Sequence, residues 1–334
     1  MRHWTPAGLA ALRRMRERFL AGTAGAQDYW RRAEDLALYD STFAERIGWK
    51  WDAVLRELDA RAWQPHSRHV LDWGCGSGIA GRRVLARWPQ FESLGLHDRS
   101  AMAVRYAAEK ARADFPHVRI VHADTPLPPD TLLVLSHVIS ELPASELPPL
   151  IELAREAREI IWLESGTHED SRRLIAIREQ LLGSFAVVAP CTHQRACGML
   201  ARENARHWCH HFAPPPPGIF QDARWMEFGK EMGIDLRSLP YSFLILERAG
   251  ATRPTASGFS RVIGEPREGK GHLRVLSCDA DGVGEFMLQK RDAPRLYRAL
   301  RKGEAGPIHR WTISKGKWAG NEPANLEKYD AIDP

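Results

Sequence analysis

The sequence predicts an α/β protein with a doubly wound parallel sheet, and three observations carry that expectation. First, residues 69–71 read as the end of a buried strand closed by Asp72; glycines then fall at every second position, and 80–88 has helical periodicity. Second, two further short apolar runs, Ser93–His97 and 118–122, also end beside an acid, Asp98 and Asp124. Third, strand-like and helix-like segments alternate from 68 to 247, the pattern of βαβ units.

The glycine loop is built to hold a small ligand against its backbone. Glycine permits φ > 0 and close approach to the main chain, and the helix behind the loop offers free N–H groups to an anion. A dinucleotide fingerprint, Gly-x-Gly-x-x-Gly, would need its third glycine at position 79, which is Ile79; the glycine is Gly78. The arrangement Asp72-x-Gly74-x-Gly76-x-Gly78 instead resembles the S-adenosylmethionine (SAM) loop of class I methyltransferases. That resemblance implies a class I SAM-dependent methyltransferase-like sheet and a cofactor site built from Asp72, Gly74, Cys75, Gly76 and Gly78. It adds Asp98 as acceptor for the ribose hydroxyls, Asp124 beside the adenine amino group, and Ser136 at the end of a fourth strand.

In chain order, residues 9–19, 28–40 and 43–63 carry apolar positions every three or four residues and read as an N-terminal helical cap. After the three strands above, Thr131–Ser136 gives a fourth, running into Ser136-His137-Val138-Ile139-Ser140-Glu141-Leu142-Pro143, and 159–164 a fifth. A helix over 171–182 follows, then two closing strands, Phe185–Ala189 and 241–247, expected to form an antiparallel hairpin. The expected organisation is a helical region over 1–65, a methyltransferase-like domain over 66–249 with an insertion at 190–240, a small basic β-rich appendage over 250–320, and a loose tail over 321–334. Within the appendage, 260–263, 272–277 and 284–289 read as strands and 291–302 as a basic helix.

Composition narrows the class. With 44% hydrophobic and 27% charged residues, the 334-residue chain has the balance of an ordinary globular protein. It contains no run of eighteen apolar residues, so no membrane span is expected. The Arg-rich amphipathic start includes Glu17 and lacks a serine-rich flank, so it reads as a first helix rather than a presequence. The expected compartment is cytoplasmic, or the mitochondrial matrix if the chain is eukaryotic. Net charge is +5, yet 253–317 holds 14 Lys or Arg against 7 Asp or Glu, an excess of +7 on a slightly acidic remainder. A basic module on a near-neutral body points to a polyanion, most simply RNA.

Three of the five cysteines, Cys191, Cys197 and Cys209, fall within nineteen residues; Cys278 lies in the basic appendage and Cys75 in the glycine loop. In a reducing compartment, clustered cysteines are more often metal ligands than disulfides. Four thiolates suit tetrahedral zinc or a four-iron cluster. The gaps of five, eleven and sixty-eight residues contain no Cys-x-x-Cys knuckle, which disfavours zinc, while His193, His207, His210 and His211 could each replace a cysteine on zinc. The dipeptide Pro190-Cys191 resembles that of cytosine-C5 RNA methyltransferases, but it follows the sixth strand rather than the fourth, too far from a methyl donor for a nucleophile.

The combined pattern resembles the Rsm-twenty-two methyltransferase-like family of small-ribosomal-subunit assembly proteins. The resemblance spans about 68 to 311 and rests on the Asp72–Gly78 loop, Ser140-Glu141-Leu142, Glu164-Ser165-Gly166-Thr167, the Pro-Cys and Trp-Cys-His elements, Tyr241-Ser242-Phe243, and the basic stretch with Cys278. It implies a [4Fe-4S] cluster on Cys191, Cys197, Cys209 and Cys278, with zinc as the alternative, and contact with small-subunit rRNA or the pre-ribosomal small subunit. Three activities follow as candidates: an rRNA methyltransferase, a non-catalytic RNA-binding assembly scaffold, and a small-molecule SAM-dependent methyltransferase. No Asn-Pro-Pro-Tyr-like motif follows the fourth strand, where Ser136, His137 and Glu141 stand instead. Methyl transfer by positioning alone remains compatible with that.

Overall fold

The computed structural model describes residues 3–21, 30–122, 127–250 and 258–324. Thr5 caps the first helix, its Oγ1 accepting from Gly8 N, and Pro6 occupies the first turn, where its missing N–H costs nothing. This starts α1 (Pro6–Leu20). Next, α2 (Ala33–Tyr39) passes through a π-helical turn at Asp40–Ala44 straight into α3 (Glu45–Ala60), so the two helices expected over 28–40 and 43–63 are one continuous element among the described residues. Within the widened turn Thr42 Oγ1 donates to Leu38 O at 2.6 Å, occupying a carbonyl of the preceding helix.

The glycine-loop region then unfolds as β1 (His69–Trp73), α4 (Ile79–Arg87), β2 (Ser93–His97), α5 (Ala101–Asp114), β3 (Arg119–His122), β4 (Thr131–Ser136), α6 (Leu147–Glu156) and β5 (Glu159–Ser165). The central strands are buried on both faces, Val70, Leu71 and Asp72 in β1 and Thr131 to Leu135 in β4, as a parallel sheet covered by helices requires. All pairings are parallel and the order is β3-β2-β1-β4-β5. Order reverses between β1 and β4, and open α/β sheets hold their ligands at the carboxyl ends of such strands. β1 runs to Trp73, two residues past the apolar run, because its register continues opposite Leu96–His97 and Val134–Leu135.

After α7 (His168–Leu181) come β6 (Phe185–Ala189), β7 (His211–Phe212), α8 (Ala223–Met232) and β8 (Pro240–Arg248), with β6 and β7 antiparallel to β8. The chain continues through β9 (Ser260–Val262), β10 (Arg267–Gly269), β11 (His272–Asp279), β12 (Gly282–Gln289), α9 (Pro294–Lys302), β13 (Ile308–Ser314) and β14 (Lys317–Pro323). These strands close on themselves in the order β9-β11-β12-β14-β13-β9, with β10 an extra strand on β11. Val262, Leu273, Val275, Phe286 and Leu288 fill the inside, and α9 adds Tyr297 and Leu300. Each such side chain contributes about 1.5–3 kcal/mol on burial. The tail expected from 321 onward is strand as far as Pro323, because Arg310, Trp311 and Thr312 pair with Glu322, Asn321 and Gly320.

By compactness the chain forms two units. One comprises Met1–Glu57, Gln64–Glu164 and Ala213–Leu239; the other comprises Leu58–Trp63, Ser165–Phe212 and Pro240–Pro334. These cut across the sequential segments expected above. The insertion at 190–240 is shared, its cysteine-bearing part in the second unit and α8 in the first, where Trp225 and Phe228 meet Trp49, Phe43 and Trp4.

Candidate functional site

In the first unit the carboxyl ends of β1, β2 and β4 open into a cavity. Its wall includes Trp73–Ser77, His97–Ser100, Ser136–Val138 and Glu141. Gly74 takes φ 74°, and a Cβ there would stand 2.6 Å from Val138 Cγ1; Gly78 takes φ 78°, and a Cβ there would stand 2.8 Å from Ala107 Cβ. Only glycine lets the loop turn this tightly between β1 and α4.

Asp98 fastens that loop. Its Oδ2 accepts from Gly76 N at 2.9 Å and its Oδ1 from Ser100 N at 2.8 Å, while Ser100 caps α5. Gly74, Cys75, Gly76, Asp98 and Ser136 line the cavity. Asp72 and Gly78 lie behind the loop: Asp72 is fully buried, its Oδ2 accepts from Gly81 N at 2.9 Å, and burial pushes its carboxyl up to about 7. Asp124 lies outside the described residues.

Several further residues shape the cavity without a local sequence signal that marks them. From the helical cap come Trp30, ahead of α2, and Tyr39 and Ile47, on either side of the π-helical turn. Burial raises the Tyr39 phenol, so it stays protonated. Trp51 Nε1 donates to Ser136 Oγ at 3.0 Å. His137 adopts φ 57°, and burial, with Lys50 adding to it, holds its imidazole well below the usual range; its Nε2 is buried without a protein partner. Burial pushes Glu141 up to about 7 against the opposing pull of Arg99, 4.0 Å away.

The second unit gathers four of the five cysteines. Cys197, Cys209 and Cys278 pack with Met199, Ile175 and Ile263. Burial pushes Cys197 up to about 11, and burial raises Cys209 and Cys278 too, with Cys191 the next influence on all three. Residues separated by sixty-eight positions thus meet because β11 carries Cys278 beside the 190–212 segment. Cys75 stands apart, in the glycine loop.

Two buried arginines flank this group. Arg178 donates to His193 O at 3.4 Å and Arg195 O at 3.0 Å and pairs with Glu179, whose Oε1 accepts from Cys197 N at 3.2 Å. Arg261 donates to Pro190 O at 3.3 Å and lies 5.4 Å over the Phe243 ring. Among the histidines, His211 Nε2 is 3.7 Å from Cys209 Sγ, His193 Nδ1 accepts from Arg195 N, and His210 stacks on Trp208. Four soft sulfur donors, all half-buried, beside two buried arginines suit a thiolate-bound metal centre, whose net charge is negative.

Strand order and loop geometry define the class, a protein with the class I SAM-dependent methyltransferase fold. A family profile described as "Mitochondrial small ribosomal subunit Rsm22" matches residues 42–310, and the chain belongs to that family. Over 90 residues it is 40% identical to trans-aconitate 2-methyltransferase of Acidovorax ebreus, covering 27% of this chain and 31% of that protein. Over 179 residues it is 27% identical to the protein of the same name from Rhodopseudomonas palustris, covering 50% and 60%. The chain thus spans about a third to three fifths of these relatives. Among solved structures, magnesium protoporphyrin IX methyltransferase of Synechocystis with bound SAM matches at 15% identity over 75% of this chain and 100% of that one, with a TM-score of 0.40. A putative RNA methyltransferase of Pyrococcus horikoshii matches at 10% over 59% and 83%, with a TM-score of 0.37. Among the described residues no helix is long and apolar enough to cross a membrane.

Proposed function

We propose that the chain binds SAM in the cavity of the first unit, holds a [4Fe-4S] cluster on Cys191, Cys197, Cys209 and Cys278, and acts on or binds small-subunit rRNA during ribosome assembly. The observation that carries this reading is the gathering of Cys197, Cys209 and Cys278 around one apolar cluster, with Cys191 near enough to act on all three, in the compact unit that includes the basic β-barrel. Family membership supports the ribosomal partner. The compartment is then that of the small subunit it serves, bacterial cytoplasm or mitochondrial matrix.

The spacing of the cysteines in the sequence, with no Cys-x-x-Cys pair, favours the cluster over zinc.

Bound SAM supplies an electrophilic methyl group on its sulfonium. Around it the glycine loop would hold the cofactor against the backbone, Asp98 would accept from the ribose hydroxyls, and the neutral His137 Nε2 would accept a hydrogen bond from an acceptor nucleobase. Calorimetric titration with SAM tests the first part, with dissociation constants unaffected by an Asp98→Ala change counting against it. Mass-spectrometric mapping of small-subunit rRNA in a deletion strain tests the second. A missing methyl group identifies an enzyme; complete modification with stalled subunits identifies a scaffold. The scaffold reading draws on Ser136, whose hydroxyl already accepts from Trp51, and on Glu141, which faces Arg99.

A further inference from the structure

The closed barrel has the strand order and polarity of an OB fold. Five strands run β9-β11-β12-β14-β13 and close on β9; every pairing is antiparallel except β12–β14, and α9 sits between the third and fourth of them. In that fold the second and third strands, with the first–second and fourth–fifth loops, take oligonucleotides or oligosaccharides. Here those are β11 and β12, the β10 hairpin, and the Lys315-Gly316 turn.

Along β11, Leu273 and Val275 point into the core while Arg274 between them is 54% exposed. Residues directly opposite in a sheet share a face. Arg274 stands opposite Arg267 of β10 on one side and Met287 of β12 on the other, and Met287 stands opposite Lys317 of β14. One register position thus carries three cations across four strands, a span of about 14 Å at the usual strand spacing. Glu285 accepts from both arginines, leaving the row at net +2. Further along the same face, Leu276, Cys278 and Val283 pack against Met199 and Ile263, so the cysteine segment covers that end and leaves the row open.

We infer that the Arg267–Arg274–Lys317 row is a phosphate-binding track for a single strand of RNA. It rests on the RNA reading above and gives it a location. Methionine rather than an aromatic ring stands in the row, so the grip is on backbone charge rather than on stacked bases, and is tolerant of sequence. A carbohydrate would not need three cations in line.

The test is fluorescence anisotropy of the full chain with a labelled single-stranded RNA of about 20 nucleotides, at salt from about 50 to 200 mM. Arg267→Glu, Arg274→Glu and Lys317→Glu together should weaken binding at least about tenfold and flatten the log–log salt slope by about 2. Glu285→Gln should tighten it. Thermal melting and metal content of the triple variant, unchanged because all three side chains are exposed, show that folding is intact. Wild-type binding with an unaffected triple variant overturns this track and leaves the RNA reading standing. No wild-type binding overturns both, and equal affinity for a duplex overturns the single-strand assignment.

Discussion

Asp98 Oδ2 accepts a hydrogen bond from Gly76 N at 2.9 Å, so the end of β2 fastens the middle of the glycine loop that follows β1. The same carboxylate holds Ser100 N at the start of α5. It sets loop shape and stands at the cavity edge, two roles that one substitution removes together. Asp98→Ala is expected to lower SAM affinity by about 10- to 100-fold, the worth of one or two hydrogen bonds to a charged group. Calorimetry checks it; a loss below twofold would separate the loop from cofactor binding.

Asp72 lies behind the loop, and its pH behaviour follows from burial. Its carboxyl ionises at about 7 in the folded chain against 3.8 ordinarily. Below the ordinary value both states are protonated and nothing is lost. As pH rises from about 4 to about 7 the unfolded chain releases the proton and the folded chain keeps it, so stability falls across that window. Asp72→Asn keeps an acceptor for Gly81 N and cannot ionise. Its stability relative to wild type should therefore rise between about pH 5 and pH 8, by on the order of 2–4 kcal/mol, in denaturant unfolding at the two pH values. SAM affinity should change far less than for Asp98→Ala.

Cys209→Ser should lose most bound metal and loosen the second unit, because ligands distant in sequence meet only when folded. SAM binding in the first unit should persist. Limited proteolysis with SAM calorimetry separates the two effects. A variant with full metal content and unchanged proteolysis would break the four-ligand set.

Arg178 holds the chain between Cys191 and Cys197 through His193 O and Arg195 O. Arg178→Lys keeps the charge and loses the planar fork. We expect it to cost about 1–3 kcal/mol in unfolding free energy, with weaker metal retention under a chelator. Wild-type chelator resistance would show that the carbonyl contacts do not shape the site.

Strands announced themselves where apolar runs met Gly or Asp. β2, β4 and β6 begin and end where their runs do, and Asp98 was readable from its place after β2. Cysteine grouping was also readable, since three lie close in sequence; that Cys278 joins them depends on β11, a contact no local pattern encodes. Arg178 carried a signal in plain view, a charge between Leu174 and Leu181 on the buried stripe of α7. A charge on such a stripe needs a buried partner.

Other features were hidden for physical reasons. β13 and β14 are mostly exposed, with no alternation of apolar and polar residues, so barrel closure came from pairing rather than pattern. α8 was overshadowed by the cysteines and histidines before it, although Asp222 caps it and Trp225, Phe228 and Met232 recur at helical spacing. That Trp30, Tyr39 and Ile47 reach the wall of a cavity built on β1, β2 and β4 is a long-range contact that no local pattern encodes.

The most direct test of the account is the iron, acid-labile sulfide and zinc content of the full chain purified without oxygen. Four irons and four sulfides per chain are the expected result, as the four-cysteine cluster requires. Stoichiometric zinc, or no metal at all, would contradict it.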